Sequence, residues 1–511
     1  MSQYFEDNKN QDDLGGQATR SGAIAMIARL IIAVVQVVST IVLARLLAPE
    51  DFGIVAIVAA LTSFVPMLID LGLTDSTVQN PRITPAQISA LFWISLGMAS
   101  LVALLLVVAG PVIASIYRQP AIGSIAAAWA VTFILYGLSL QHLALLRRAL
   151  RYRDIALIEV IGSVGGTGVT IGMAWFGFGY WALIARPVMT GLITAVGSWL
   201  CCDWKPGAPK IDAEVKSMLK FGLNVSGGAV VWIGSSSADR AVMGFLYGPA
   251  LIGFYQNAFM LYENAMQGIS MPLHKVGVSA LSKLSADAVL FRRQYVVALS
   301  TVSFYSMPAF AILAVIASDF VPLLLGSKWA FSGTILSIFA LRGILHVVEN
   351  SQTWILMSLG RADRWLRWAI LTGLVQIAAV VAGLPFGVEG VAWAIVIARS
   401  AIAIPGVLYA GRLIDLKFPM VLAAIGRQLC GAILTILAGK ATLHLLSREF
   451  GPITRVSIGV GVCVVTYLSL VVGIFRVTEP LRLASSLFKR LVPVRFHRWL
   501  PFTAVAGVVK P

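Results

Sequence analysis

The residues of this chain that could do chemistry are charged side chains set inside long apolar runs. Arg29, Arg45, Asp70, Glu159 and Arg186 lie in its first half; Asp239, Arg240, Glu263, Arg342, Glu349 and Arg399 lie in its second. A charge deep in a bilayer costs about 3 kcal/mol or more unless it finds a partner or a wet cavity, so each is a candidate for function. Arginine offers a planar fork of donors that suits an oxyanion. A carboxylate whose pKa is raised by burial can take up and release a proton. Glu159 stands near Gly162 and Ser163, and Glu349 beside Asn350, Ser351 and Gln352, neighbours small or polar enough to border water. His142 and His346 also fall in apolar runs, where hydrogen-bonded packing is the simpler reading. The run Gly162-Ser163-Val164-Gly165-Gly166-Thr167-Gly168 has no Lys-Ser or Lys-Thr after it and reads as a close-packing helix face, not a phosphate loop. No metal spacing, nucleophile–base pair or nucleotide loop appears, which argues against an enzyme.

The elements that must position these charges are membrane-spanning helices. With 58% hydrophobic and 12% charged residues, and a mean hydropathy of +0.87, the chain has too little polar surface for water. Apolar runs long enough to cross a hydrocarbon core of about 30 Å recur along nearly its whole length. They predict an all-α polytopic membrane protein with about fourteen transmembrane helices, over 22–46, 53–72, 88–116, 122–146, 155–176, 179–201, 221–246, 250–271, 295–317, 331–359, 366–384, 388–411, 420–446 and 453–475. The connections are too short to hold a separate catalytic domain.

The net charge of +16 does not indicate nucleic acid, because the cations gather on one side of the membrane. Arg147, Arg148, Arg151 and Arg153, then Lys205, Lys210 and Lys216, then Arg361, Arg364 and Arg367, then Arg412 and Lys417 share that side; the other holds little beyond Arg118, Lys328, Arg448 and Arg455. This pattern predicts cytoplasmic termini. Residues 1–20 are polar and acidic, unlike a cleavable signal peptide. Cys201, Cys202, Cys430 and Cys463 show no metal spacing and read as structural. Residues 479–491 set Leu481, Ala484, Leu487, Phe488 and Leu491 against Arg482, Lys489 and Arg490, the pattern either of an amphipathic helix on anionic lipid or of a basic tail that fixes topology.

The chain also repeats itself. Leu46-Leu47-Ala48-Pro49-Glu50-Asp51-Phe52-Gly53 returns as Leu246-Tyr247-Gly248-Pro249-Ala250-Leu251-Ile252-Gly253, and Trp181-Ala182-Leu183-Ile184-Ala185-Arg186 as Trp393-Ala394-Ile395-Val396-Ile397-Ala398-Arg399. Arg151-Tyr152-Arg153-Asp154 is answered by Arg361-Ala362-Asp363-Arg364. An even number of helices per copy gives both copies one topology, related by an axis along the membrane normal. The expected organisation is a polar N-terminus (1–20), a first six-helix lobe (21–203), a linker (204–220), a second six-helix lobe (221–415), a final helix pair (416–476) and a basic tail (477–511).

The run Ala44-Arg45-Leu46-Leu47-Ala48-Pro49-Glu50-Asp51-Phe52-Gly53, with Asp70-Leu71-Gly72-Leu73 and Ile83-Thr84, resembles the polysaccharide transporter branch of the multidrug, oligosaccharidyl-lipid and polysaccharide exporter superfamily. Asp239-Arg240, Gly253-Phe254-Tyr255 and Leu325-Gly326-Ser327-Lys328-Trp329 carry the likeness into the second half, so that it covers roughly residues 20–415. The resemblance implies two lobes around a V-shaped cavity and the flipping of undecaprenyl-pyrophosphate-linked oligosaccharide across the bacterial inner membrane for exopolysaccharide, capsule or O-antigen synthesis. Membrane lipids and such a lipid-linked sugar are then the partners, with a polysaccharide polymerase and chain-length or export machinery as protein partners; no cofactor and no nucleic acid are implied.

A pyrophosphate headgroup suits arginine, and Arg29, two turns inside the cytoplasmic end of the first helix, is the leading ligand candidate. Arg186 and Arg399, at matching places in the two copies, are next, followed by Arg240 and Arg342. Glu159, Glu349, Asp239 and Glu263 are the candidates for coupling to a proton or sodium gradient. Asp239 and Arg240 replace Ser39 and Thr40 of the first copy, and, pointing about 100° apart on a helix, they are expected to pair with Glu349 or Arg342 rather than with each other. A structural ion network is the competing reading. Asp70 reads as a helix-end or gate residue. A lipid II flippase, a drug or cation antiporter of the same superfamily, and, from another class, a membrane-embedded polymerase, ligase or assembly scaffold remain as alternatives.

Overall fold

A chain with lipid as solvent must satisfy its backbone N–H and C=O groups internally, and the helix does so segment by segment. The computed structural model describes residues 14–80, 83–446 and 450–482, which contain helices and no strand. In order they are α1 (Leu14–Leu46), α2 (Pro49–Thr62), α3 (Val65–Asp70), α4 (Leu73–Gln79), α5 (Pro85–Ile116), α6 (Ala121–Arg148), α7 (Tyr152–Trp175), α8 (Tyr180–Cys201), α9 (Ala213–Tyr247), α10 (Pro249–Ser282), α11 (Ala288–Leu325), α12 (Ala330–Ser358), α13 (Ala362–Gly383), α14 (Gly387–Gly411), α15 (Phe418–Leu445) and α16 (Pro452–Leu468). The polar N-terminus up to residue 13 and the tail from residue 483, with most of the expected amphipathic face, lie outside the described residues.

Among the described residues, 11 helical stretches are long and apolar enough to cross a membrane. One of them, Ala362–Ile414, contains both α13 and α14, joined by a short 3-10 turn at Leu384–Phe386. α9 and α10 are not among the 11; the second half of α9 carries Ser235, Ser237, Asp239 and Arg240.

Local sequence sets where the helices start and break. Proline in the first turn, as at Pro49 and Pro85, costs no hydrogen bond because that N–H has no intrahelical partner. Thr84 caps α5 in a box with Gln87, each accepting the other's backbone N–H, at 3.3 and 2.9 Å. The second predicted span is a broken rod, α2–α3–α4. Its sharper break is Leu71-Gly72, both in the left-handed region at φ 48° and 67°. Asp70 holds that break by accepting hydrogen bonds from the Thr74 N–H at 3.0 Å and the Thr74 hydroxyl at 2.6 Å. It is a helix-end residue.

Contacts divide the chain into two compact units. The first is the described part of Met1–Tyr262 with Ala317–Phe339 and Asp363–Arg399. In it α5 packs on α6, α7 on α8, and α1 on α7. Fully buried Phe92 and Trp204 anchor a core with Leu145, Leu146 and Cys202, and His142 stacks on Trp199 with ring centroids 4.4 Å apart. The two halves of the sequence echo meet within this unit. A Cβ on Gly53 would overlap the Pro249 carbonyl, and a Cβ on Gly253 would overlap the Pro49 carbonyl. Each Pro-x-x-x-Gly helix start therefore lays its glycine on the other's proline, a reciprocal contact of two backbones.

The second unit is Glu263–Ile316, Ala340–Ala362 and the described part of Ser400–Pro511. Here α15 packs on α16 through Gly431 against Tyr467 and Gly439 against Cys463. The Tyr467 hydroxyl donates to the Phe304 carbonyl at 3.1 Å, and Gly343 faces the Phe310 ring. All four cysteines are free thiols.

The segment leading into α9 is tied back to the start of α5. Asp212 caps α9 by accepting from the Val215 N–H at 2.9 Å, and the Gln87 amide donates to Asp212 at 2.9 Å and to Glu214 at 2.8 Å. The Val215 N–H, and after it the Gln87 amide, hold the Asp212 carboxyl below the usual carboxylate range.

Two predictions follow from this packing. Gly53→Ala and Gly253→Ala should each destabilise the protein by about 1–3 kcal/mol through overpacking, read as a lowered Tm in detergent. Gly97→Ala, where a Cβ meets nothing within 4 Å, should leave Tm unchanged or slightly raised. Because the folded-state pKa of Asp212 is depressed, its contribution is complete above the ordinary value of about 4 and is lost as pH falls through the folded value. Below pH 4 the wild type should therefore lose more Tm than Asp212→Asn.

Candidate functional site

The charged residues fall into those the fold consumes and those it leaves. Arg29 is exposed on α1, on a face it shares with exposed Met26, Ile27, Leu30 and Ile31. Arg186 is half-buried on α8, along the seam where the Thr190 hydroxyl donates to the Gly162 carbonyl at 3.1 Å and Gly166 faces the Arg186 carbonyl. Glu159 is half-buried on α7. Among the described residues none of these three makes a side-chain hydrogen bond or ion pair. Although α1 packs on α7, Arg29 and Glu159 are not salt-bridged. Arg399 on α14 and Glu263 on α10 are half-buried and engaged in interactions of their own.

Asp239 and Arg240 are consumed together. The Asp239 carboxylate is buried; one oxygen accepts the Tyr255 hydroxyl at 2.6 Å, and the other accepts the Arg240 backbone N–H at 2.8 Å and lies 3.4 Å from Arg240 Nε. The Arg240 guanidinium donates to the Ser237 hydroxyl at 2.9 Å and sits 4.6 Å over the Phe259 ring. Asp239 thus pairs with Tyr255 and with Arg240 itself, and the expectation of Arg342 as its partner is corrected. The hydrogen bond to the Arg240 backbone and the flexible guanidinium stem let adjacent residues meet, and α10 supplies Tyr255 and Phe259.

Arg342 and Glu349 instead pair with each other along α12, at 3.8 Å, with His346 Nδ1 3.7 Å from the same Glu349 oxygen. His346 Nε2 meets the Asn350 amide at 2.7 Å. Residues 342, 346, 349 and 350 share one helix face, so a polar stripe runs along an otherwise apolar helix. On the next position the Ser351 hydroxyl bonds to fully buried Tyr295 at 2.7 Å.

A further polar cluster was missed by reasoning from charge within spans alone. The helix C-termini of α1 and α11 lack partners for their last carbonyls. Arg45 donates to the carbonyls of Leu323 and Leu324 at 3.2–3.3 Å, and Lys328 donates to those of Arg45 and Leu47 at 3.1 and 2.7 Å. The Trp329 indole N–H donates to the Ala44 carbonyl at 2.7 Å. Each helix end is capped by a cation from the other, a placement the helix dipole favours. A cation in or just after the last turn of each helix was the available signal. Trp329 also packs edge-on against Phe52 and Phe254, with centroids 5.2 and 5.8 Å away.

Tyr255→Phe should leave the buried Asp239 oxygen short of a donor and cost about 1–3 kcal/mol, with Asp239→Asn non-additive to it. Thermal unfolding of the two single variants and the double variant measures both.

These geometries sit in a chain with recognisable relatives. A family described as polysaccharide biosynthesis protein matches residues 42–334, more than half of the chain. The lipopolysaccharide biosynthesis protein WzxC of Escherichia coli K12 is 23% identical over 374 residues, covering 72% of this chain and 75% of WzxC. The succinoglycan biosynthesis transport protein ExoT of Rhizobium meliloti is 24% identical over 367 residues, covering 69% and 72%. Among solved structures, the lipid II flippase MurJ in an inward closed conformation superposes with a TM-score of 0.71 at 15% identity, covering 89% of this chain and 99% of MurJ. That likeness shows the fold. Multiple apolar helices and the match over residues 42–334 together make this chain a multi-pass membrane member of the polysaccharide biosynthesis protein family.

Proposed function

We propose that the protein flips a polyprenyl-pyrophosphate-linked oligosaccharide from the inner to the outer leaflet of the bacterial inner membrane, as a step of surface-polysaccharide synthesis. In this reading fourteen helices cross the bilayer, both termini are cytoplasmic, and two six-helix lobes, 21–203 and 221–415, alternate about a shared axis with 416–476 as an added pair. The carrying observation is that Arg186 and Arg29 stand in apolar helices with no hydrogen-bond or ion-pair partner among the described residues. A guanidinium in that setting is held in reserve for an anion. A doubly charged pyrophosphate matches it, while the polyprenyl chain stays in lipid and the sugar passes through the polar interior.

Within this proposal the remaining roles follow from which side chains already have partners. Arg240 and Arg342 already face internal partners and serve as secondary contacts; Arg399 is the counterpart of Arg186 in the second copy. Glu159, half-buried and without a partner, is the leading carboxylate for coupling to a proton or sodium gradient, ahead of Glu349, Asp239 and Glu263, which are engaged. Two unpartnered arginines, Arg29 and Arg186, against the one carboxylate Glu159 favour an anionic cargo over a cationic drug. The names of WzxC and ExoT favour a polysaccharide precursor over the lipid II of MurJ. A polymerase or export complex would take the product on the far side.

The test is translocation of a fluorescent undecaprenyl-pyrophosphate oligosaccharide in proteoliposomes, with and without a proton gradient. Protein-dependent movement is expected, faster with the gradient. Arg29→Gln and Arg186→Gln should slow it about 10- to 100-fold, the loss of one charged hydrogen bond, at normal protein levels. Unchanged rates would remove those arginines from the site, and no movement with properly inserted substrate would overturn the reading.

A further inference from the structure

The end of the molecule where α1 gives way to α2 carries charge that closure alone does not require. Two symmetry-related contacts are found there. In each, an aromatic donor at the end of one copy's third helix bonds a carbonyl near the end of the other copy's first helix. Tyr117, after α5, donates its hydroxyl to the Ala241 carbonyl at 2.9 Å; Trp329, after α11, donates its indole N–H to the Ala44 carbonyl at 2.7 Å. The Tyr117 contact holds with no cation on it: neighbouring Arg118 makes no side-chain hydrogen bond among the described residues. The Trp329 contact has two, Arg45 and Lys328, both spent on backbone carbonyls.

No carboxylate among the described residues lies within salt-bridge distance of either cation. The nearby Asp51 caps its own helix, accepting from the Ala48 N–H at 3.0 Å. Two like charges thus converge at one place, held by neutral acceptors. A backbone carbonyl is a weaker acceptor for a cation than a phosphate oxygen, which carries charge of its own. By the charge asymmetry of the loops this is also the face predicted to lie outside, where cations are otherwise scarce.

We propose that the two exposed cations Arg45 and Lys328 form a second anion site at this end, for a pyrophosphate-type group, and that it acts as a latch beside the buried Trp329 contact. Without the anion Arg45 and Lys328 hold the ends of α1 and α11 together through backbone carbonyls. A pyrophosphate arriving there replaces those carbonyls as acceptor for the two cations and loosens the two helix ends. In the cycle proposed above, on which the choice of ligand rests, the headgroup would so open its own exit. Nothing covalent changes; the donors exchange one set of acceptors for another.

Hydrogen exchange of the full chain in nanodiscs, read at the Leu47 and Gly326 amides, tests both parts. These amides close the last turns of α1 and α11, on the Leu43 and Pro322 carbonyls. Arg45→Met with Lys328→Met should speed their exchange about tenfold, the loss of charge-assisted caps, while Lys328→Arg, which keeps the donor, should exchange like wild type. Exchange in α6 and α7 should be unchanged in all variants, which separates a released latch from a misfolded protein. Adding sodium pyrophosphate, or undecaprenyl pyrophosphate in the disc, should speed the same amides in wild type and leave the double variant unaffected. A response to the lipid alone assigns the site to a headgroup, and a response to the soluble salt as well assigns it to the free anion too. No response to either, or one reproduced by chloride at equal ionic strength, overturns the anion site; unchanged exchange in the double variant overturns the latch. Neither result depends on translocation, so failure of the transport assay and failure of the latch are told apart.

Discussion

The reciprocal seating of Gly53 on Pro49's counterpart, Pro249, and of Gly253 on Pro49 is the contact on which the surrounding structure depends. Neither glycine leaves room for a Cβ, so the two helix starts meet backbone to backbone. At that separation α2 and α10 fix the heights of Phe52 and Phe254, and the Trp329 ring fits edge-on against both. Trp329 in turn brings Lys328 over the last carbonyls of α1, and the end of α11 within reach of Arg45. A larger residue at either glycine would push apart every one of these contacts.

The same scarcity of water sorts the polar side chains. Asp239, Tyr255 and Ser237 close a local network around Arg240, and Arg342, His346 and Glu349 close another along α12. Such networks engage their members and specify packing. A side chain that sits in an apolar helix with nothing to satisfy it is different, since the fold gains nothing by keeping it. Arg186 and Glu159 are of that kind, and so, at an exposed position, is Arg29.

Much of this was legible in the sequence because hydropathy and helix geometry are local properties. The predicted runs fall in helical segments wherever residues are described, with 53–72 broken into α2 and α3, and Asp70 at its helix end and the packing role of the glycine-rich face of α7 appear as read; His142 is packed on Trp199 but without the expected hydrogen bonds among the described residues. What was not legible depends on side-chain reach across helices. Residue spacing places Asp239 and Arg240 on different faces, but it does not show that Tyr255 and Phe259 stand one turn apart on the neighbouring helix to receive them. Likewise, Arg45 reads as a charge in a span and Lys328 as a charge in a loop; only the crossing of the two helix ends makes them partners of each other's carbonyls.

The duplication explains why those illegible features are also the informative ones. A repeat preserves what packing needs in both copies, and the two Pro-x-x-x-Gly starts are kept for that reason. Where the copies differ, packing alone cannot be the cause. Ser39 and Thr40 become Asp239 and Arg240, and the Tyr117 contact becomes Trp329 with two cations added. The first change brings ionised groups into the second copy, compensated by Tyr255, Ser237 and Phe259, and the second sets Lys328 of the second copy beside Arg45 of the first, compensated by carbonyls of two helix ends. A compensation built from a carboxylate and a tyrosine is complete in itself and fixes one geometry. One built from two cations on neutral carbonyls, with the Asp51 carboxylate attracting Lys328 only from beyond salt-bridge distance, leaves the cations open to whichever state brings an anion beside them.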